Sequence, residues 1–274
     1  MELKMKSIKG MTLALLMLIA AMAGCIGTED ETSDGAEEEK PAFLDASDAG
    51  YTYASDVDNH RSLMQDLCDI KTAASDSNWD EAKNIYTNGK NAEKSDGSYR
   101  TLAGFAAASG KNHNYDSFYG QDGAIGAHIM AAMDGTGDFT GASDTVRYQG
   151  IAKLTANMGM VGYTIHELNA AVAKADAGNT DNDSGAPHNW DEGWAFFHGP
   201  DEHWSCSPAY TMKKRAADYG TETNGVSNAL AASEQAMVDG LAALQAGDKA
   251  GYDAATETVI KNIIITYSQA TLKY

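Results

Sequence analysis

Between Arg147 and Ala177 the apolar residues Leu154, Met158, Val161, Ile165, Leu168 and Val172 recur at alternating spacings of four and three. Such a seam demands a helix with another helix lying against it, because only a 3.6-residue period brings those positions to one face. Gly159, Gly162, His166 and Ala170 lie alongside the seam, a small-residue face that permits close approach and carries one imidazole. The rest of the chain reads the same way. Ala, Gly, Asp and Met are abundant, proline occurs only four times, and no segment alternates with period 2, so the chain is expected to be mainly helical. Further helices are expected over Tyr53–Ala74, from Trp79 to a stop at Gly89 with Asn78 as cap, over Arg100–Ala108 and Asp122–Met133, and from the Ser207-Pro208 cap to Gly220. Two final helices carry the faces Leu230, Glu234, Met237, Leu241, Leu244 and Val259, Ile260, Ile263, Ile264, Tyr267, while Asn112–Gly120 reads as a loop. Short links between amphipathic helices point to an all-α fold, an antiparallel helical bundle with a long aromatic and acidic loop segment.

The N-terminus stands apart from that domain. Lys4, Lys6 and Lys9 precede an apolar run, Met11–Met22, too short for a comfortable membrane span, and Met22-Ala23-Gly24 leads into Cys25. Residues 1–24 are therefore expected to be a lipoprotein signal peptide and Cys25 the lipidated first residue of the exported chain. Residues 25–42 are polar and acidic, expected to be a disordered tether, with residues 43–274 forming the helical domain. This places the protein on the outer face of the cell membrane, held there by a lipid anchor. Cys68 and Cys206 remain, and in an exported protein a disulfide between them is favoured over two separately buried thiols. The net charge of −19 repels nucleic acid and anionic membrane surfaces and concentrates cations.

One stretch has the composition of a site. From His188 to Gly220 lie three of the four tryptophans, Trp190, Trp194 and Trp204, with His188, His198 and His203 and the acids Asp191, Glu192, Asp201 and Glu202. Either this is a walled site, dry on one side, or an aromatic helix end docked on a core with its charges in water. Elsewhere His60 falls on the apolar stripe of the first helix, His128 lies beside Ile125 and Ile129, and Glu234 interrupts the stripe Leu230–Leu244. A carboxylate on a buried stripe is costly unless paired or bound to a metal, and helical bundles build metal sites from inward Glu and His. No zinc-protease helix, nucleophile elbow, phosphate-binding glycine loop or Cys-x-x-Cys is present. Carboxylates, Tyr and His without a free thiolate suit hard or borderline ions such as iron or manganese.

Asn189-Trp-Asp-Glu-Gly-Trp-Ala-Phe-Phe197, followed by Cys206-Ser-Pro-Ala-Tyr210 and Lys214-Arg215-Ala216 to Tyr219-Gly220-Thr221, resembles the Fe-assimilating proteins of algae, the low-iron-induced periplasmic family. Trp79–Ala92, with its Ala-Lys-x-Ile-Tyr-x-x-Gly-Lys-Asn run, and the closing Gln269–Tyr274 fit as well. The resemblance implies an all-helical extracytoplasmic domain that binds iron and assists its uptake, and not an enzyme. The chain departs from the family in carrying one such domain on a lipid tether. A weaker likeness, to imelysin-type domains of iron-uptake lipoproteins, lacks the Gly-x-His-x-x-Glu motif at Gly162–Glu167.

The expectation is thus a lipid-anchored, iron-binding protein, with ferric or ferrous iron as its ion and an uptake permease as a further partner. Its ligands are expected among His60, His128, His166, Glu167, Asp191, Glu192 and Glu234, with Trp190, Trp194 and Phe197 excluding solvent. Two rivals belong to other classes: a lipoprotein hydrolase acting on carbohydrate or peptide with Glu192 as acid, and a non-catalytic surface scaffold.

Overall fold

The computed structural model describes residues 47–108, 111 and 114–273. The expected leader, Cys25 and the tether lie outside them. Among the described residues the regular elements are helices, apart from two antiparallel ribbons of two-residue strands, β1 (Ser47–Asp48) with β2 (Tyr51–Thr52) and β3 (Glu222–Thr223) with β4 (Val226–Ser227). The helices are α1 (Asp58–Ser75), α2 (Trp79–Asn88), α3 (Leu102–Ala107), α4 (Asn114–Tyr119), α5 (Ala124–Asp134), α6 (Asp144–Ala152), α7 (Val161–Asp176), α8 (Ala186–Phe197), α9 (Pro208–Tyr219), α10 (Asn228–Ala246) and α11 (Lys249–Lys273). None of them is long and apolar enough to cross a membrane.

Local chemistry sets several boundaries where expected. The Asn78 side chain accepts from Glu81 N, Ser207 accepts from Tyr210 N with Pro208 in the first turn, and Gly220 closes α9 in the left-handed conformation. Three expectations are corrected. The first helix begins at Asp58, because Tyr51 and Tyr53 are instead buried on the extended chain that enters it. Residues Asn114–Tyr119, expected as loop, form the short α4. The seam helix is not one α-helix: Lys153–Met160 between α6 and α7 is π-helical. The wider i→i+5 winding shifts the face, so the buried positions run Thr155 and Ala156, Met160 and Val161, Tyr163 and Thr164, Glu167 and Leu168, then Ala171, while Leu154, Ile165 and Val172 are only partly buried.

Two apolar clusters make the core. One joins Leu168 of α7, Trp190, Trp194 and Phe197 of α8, Met237 and Leu244 of α10, and Val259 and Ile263 of α11. The other joins Leu63, Leu67 and Ile70 of α1 to Ile85, Ile125, Ile151, Met160 and Tyr163, and it receives Phe196 of α8. Helix α8 therefore contributes to both. The long loop expected across this region is largely helix, and only residues 198–207 remain as the connection to α9. That connection is fastened to α1 by a Cys68–Cys206 disulfide, which decides between the bond and two thiols. Its sequence separation of 138 residues makes it, on the chain-entropy view, a constraint worth about 5 kcal/mol.

Close packing around α8 rests on Gly240 of α10, where any Cβ would run into the Trp190 ring and the Ala255 side chain. Gly240→Ala is expected to destabilise the protein by ~1–3 kcal/mol through overpacking. Urea unfolding measures this, and an unshifted midpoint would show that α10 and α8 are not in such close contact.

Candidate metal centre

Helix α8 starts with proline in its first turn, where the missing N–H costs nothing. Asn189, Trp190, Asp191, Gly193, Trp194 and Phe197 are poor intrinsic helix formers, so burial rather than propensity keeps the segment helical. His188, Glu192 and Phe196 are spaced by four and line one stripe, turned towards α1 and α7. Trp190 and Trp194 lie on the side away from that stripe. Trp190 and Trp194 are fully buried, and their indole N–H groups donate to Met237 O at 2.8 Å and Asp48 O at 3.1 Å.

Glu192 is where the stripe meets its neighbours. His60 Nε2 of α1 and His188 Nε2 each lie 3.2 Å from its Oε1. Glu167 of α7 shares a hydrogen bond with Glu192, and its Oε2 accepts from Asn189 Nδ2 at 2.5 Å. Two imidazoles and two carboxylates thus converge from three helices. Phe105, Tyr163 and Phe196 pack edge to face beside them, with ring centroids 4.7–5.5 Å apart, and His60 stands edge-on to Phe196.

The hydrogen bonds fix the protons. Ser55 Oγ donates to Asp191 Oδ2 at 2.8 Å, so towards His188 Nδ1, at 2.9 Å, it can only accept. On the other side His188 Nε2 faces a carboxylate. That arrangement favours the doubly protonated ring. In keeping with that, the hydrogen bond to Glu192 holds its pKa above the ordinary histidine value against the opposing effect of burial. His60 is the opposite case. Burial, opposed by Glu192 but reinforced by Arg100 and His188, brings it down to about 4. At neutral pH it is uncharged, donates through Nε2, and leaves a buried Nδ1 without a hydrogen-bond partner among the described residues.

The two carboxyls are driven apart. Burial, and then the charge of Glu192, push Glu167 upwards. Burial acts on Glu192 too, but the hydrogen bond from His188 and the other donors outweigh it and bring it down. The pair consequently shares one proton, held on Glu167 and directed at an ionised Glu192.

The remaining expected ligands lie elsewhere or at the margin. His166 is at the rim, its Nε2 3.1 Å from Lys111 Nζ and 3.9 Å from Glu167 Oε1. Asp191 is buried but turned away, accepting from Tyr51 Oη (2.6 Å), Ala54 N (2.9 Å), Ser55 N (2.8 Å) and Ser55 Oγ. It ties the entering chain to α8 and, through Ser55, orients His188. His128 lies with Tyr115 and Tyr119, its Nδ1 2.5 Å from Tyr115 Oη. Glu234 of α10 is half-buried, and burial, with the charge of Asp201, raises its carboxyl. No contact among the described residues joins Glu234 or His128 to the Glu192 group. His188, Asn189 and Ser55 belong to the site without being among the expected ligands. The i,i+4 spacing of His188 and Glu192 is the signal that points to them, and it carries meaning only once this stretch is a helix.

Among the described residues no group of three or more His, Cys, Asp or Glu stands at metal-holding geometry. The 3.2 Å contacts are hydrogen-bond lengths, whereas metal bonds to such ligands are roughly 2.0–2.2 Å. The chemistry of the donors nevertheless fits a cation. They offer two imidazole nitrogens, two carboxylates and the buried, unpartnered Asn189 Oδ1, and no thiolate, since Cys68 and Cys206 are bonded to each other. That set suits hard to borderline ions.

Fold and site define a helical bundle that keeps an imidazole–carboxylate group inside its core. The chain belongs to the low iron-inducible periplasmic protein family, whose model matches residues 42–274. Searches of curated proteins and of solved structures gave no match.

The depressed pKa of His60 has a consequence for folding. Its ordinary value is 6.5 and its folded value about 4, so protonation favours the unfolded chain. The contribution is complete above pH 6.5 and is lost as the pH falls from there towards 4. Between pH 7 and pH 5 the wild type is expected to lose about 2 kcal/mol more than His60→Gln. Urea unfolding at the two pH values measures the difference, and parallel losses would contradict the assignment.

Proposed function

We propose that this protein binds iron outside the cytoplasm and assists its uptake, the ion being cargo held by His60, His188, Glu167 and Glu192. The observation that supports this most is the convergence of two imidazoles and two carboxylates, from three helices, on one point beside the aromatic rings of Phe105, Tyr163 and Phe196. Buried polar groups of this kind are costly unless they are satisfied, and a cation would satisfy all four at once. It would take the place of the proton on Glu167 and of the proton His188 directs at Glu192, while neutral His60 would free its Nε2 by carrying its one proton on Nδ1, so loading releases protons. A family described as low iron-inducible and periplasmic fits this reading, as does the disulfide, which persists in oxidising compartments. In the same reading Cys25 carries the lipid, residues 25–42 hold the domain off the membrane, and a permease receives the ion.

The hydrolase alternative required Glu192 as the acid. Held ionised by His188, Glu192 has no proton to give, which argues against that form of it. A second location for the ion has its own observation. Tyr115, Tyr119, His128 and Asp138 line an open cavity of about 410 Å³ near α4 and α5, and phenol, imidazole and carboxylate oxygens and nitrogens suit ferric iron.

Anaerobic titration with ferrous iron, and titration with a ferric chelate, separate these. Glu192→Ala and His188→Ala are each expected to weaken binding by about tenfold or more, about 1.4 kcal/mol, with His128→Ala unchanged. Wild-type affinity in both of the first two variants would remove the Glu192 site. A tyrosinate-to-iron absorption band lost in Tyr115→Phe would move the ion to the α4–α5 cavity.

A further inference from the structure

The chain has 39 acidic and 20 basic residues, yet four of its cations face one cavity. Lys71 of α1, Lys153 of the π-helical segment, and Lys214 and Arg215 of α9 line a space of about 320 Å³, and none of the described side chains lining it is acidic. The other polar groups there include hydroxyls of Tyr148, Ser205 and Ser207. In a molecule of this net charge, cations are expected to spread out; here Asp218 meets Arg215 and lies near Lys214, against a group of four positive side chains. Like charges gathered in a concavity repel one another and raise the energy of the folded state unless something negative sits among them.

Two of the four are held in place by the fold. Lys71 donates to Cys206 O at 2.7 Å, beside the disulfide, which aims its ammonium at the cavity and leaves its other protons unused by that bond. Burial, with the charges of Lys214 and Lys153, lowers its pKa to about 8, the signature of an ammonium short of negative charge. Arg215 is only 6% exposed. One end of its guanidinium meets Asp218 at 2.8 Å, but its buried Nε–H has no partner among the described residues. A buried guanidinium N–H is strongly favoured to find an acceptor, and Arg215 is one of the residues that line the cavity. The start of α9, at Ser207-Pro208, adds the positive end of a twelve-residue helix dipole on the same side.

We propose that this cavity binds a small oxyanion bearing two or more negative oxygens, a di- or tricarboxylate or a phosphate, held by Lys71, Lys153, Lys214 and Arg215. The volume is that of a small-molecule site and too confined for a macromolecule. The acidity of the remaining surface repels anionic membranes and nucleic acid, so the ligand is a free small anion. Several converging cations select multivalent over monovalent species. The site shares no residue with the Glu192 group. Lys71 is eleven residues along α1 from His60, roughly 16 Å by helix rise. It therefore stands or falls independently of iron binding.

Calorimetric titration of the disulfide-bonded protein with citrate, pyrophosphate and acetate tests this. Saturable binding of citrate or pyrophosphate is expected, about tenfold or more tighter than acetate and weakening as sodium chloride is raised. Whichever of the two binds more tightly identifies the ligand as carboxylate or phosphate. The double variant Lys153→Ala/Lys214→Ala, checked for folding by circular dichroism, is expected to lose about tenfold or more. Lys90→Ala/Lys249→Ala, which removes the same charge from exposed positions elsewhere, is expected to bind as the wild type does. Absence of saturable binding of either multivalent anion, acetate bound equally well, or equal losses in the two double variants would overturn the proposal.

Discussion

The burial of α8 is the constraint on which the rest depends. Trp190 and Trp194 are each fully buried, and each indole N–H reaches a backbone carbonyl on a different neighbour. Two such anchors leave the helix no freedom to rotate about its axis. With that rotation set, His188, Glu192 and Phe196 face α1 and α7, and a carboxylate is carried into the interior. Its neighbour Asp191, about 100° further round, is delivered to the opposite side, where the entering chain supplies four donors. Adjacent acids on one helix thus take different tasks. Asp191 builds the wall and, through Ser55, aims His188, while Glu192 gathers the imidazoles.

The helical character of the chain and several of its caps are legible in sequence, because Asn78, Ser207-Pro208 and Gly220 act through local backbone chemistry. The seam at Leu154–Val172 points to the correct segment and to part of its inward face, since Val161 and Leu168 are core residues while Leu154, Ile165 and Val172 pack at the core's margin. The π-helical winding at Lys153–Met160 interrupts the period on which the seam rests, and Glu167 is buried beside Leu168. Helix α8 is the larger miss. Its residues have weak helical propensity, so the segment reads as aromatic loop and the His188–Glu192 spacing loses its meaning. His60, Glu167 and Glu192 are nonetheless among the expected ligands, since each is an ionisable residue in an apolar or aromatic setting. Glu234 is overread. Its stripe is real, but Ser233 takes the fully buried position and Glu234 stays half-buried at its side.

The proton arrangement links the site to its proposed task. His188 and Glu167, both with raised proton affinity, flank a Glu192 that is held ionised, so protons offset the charge of the centre. Such a group is compact, and its hydrogen bonds leave His60 Nδ1 and Asn189 Oδ1 without partners among the described residues. Membership of the low iron-inducible periplasmic protein family gives that chemistry a physiological direction. The cationic cavity beside Cys206 gives the fold a second polar centre, built on the other end of α1.

The most direct measurement is anomalous diffraction at the iron absorption edge from crystals of protein loaded anaerobically with ferrous iron. The predicted result is a peak bonded to Glu192 and to the Nε2 atoms of His60 and His188, with Glu167 turned towards the ion. A peak among Tyr115, Tyr119 and His128, or no ordered iron while Glu192 keeps its hydrogen bonds to both histidines, would contradict the assignment.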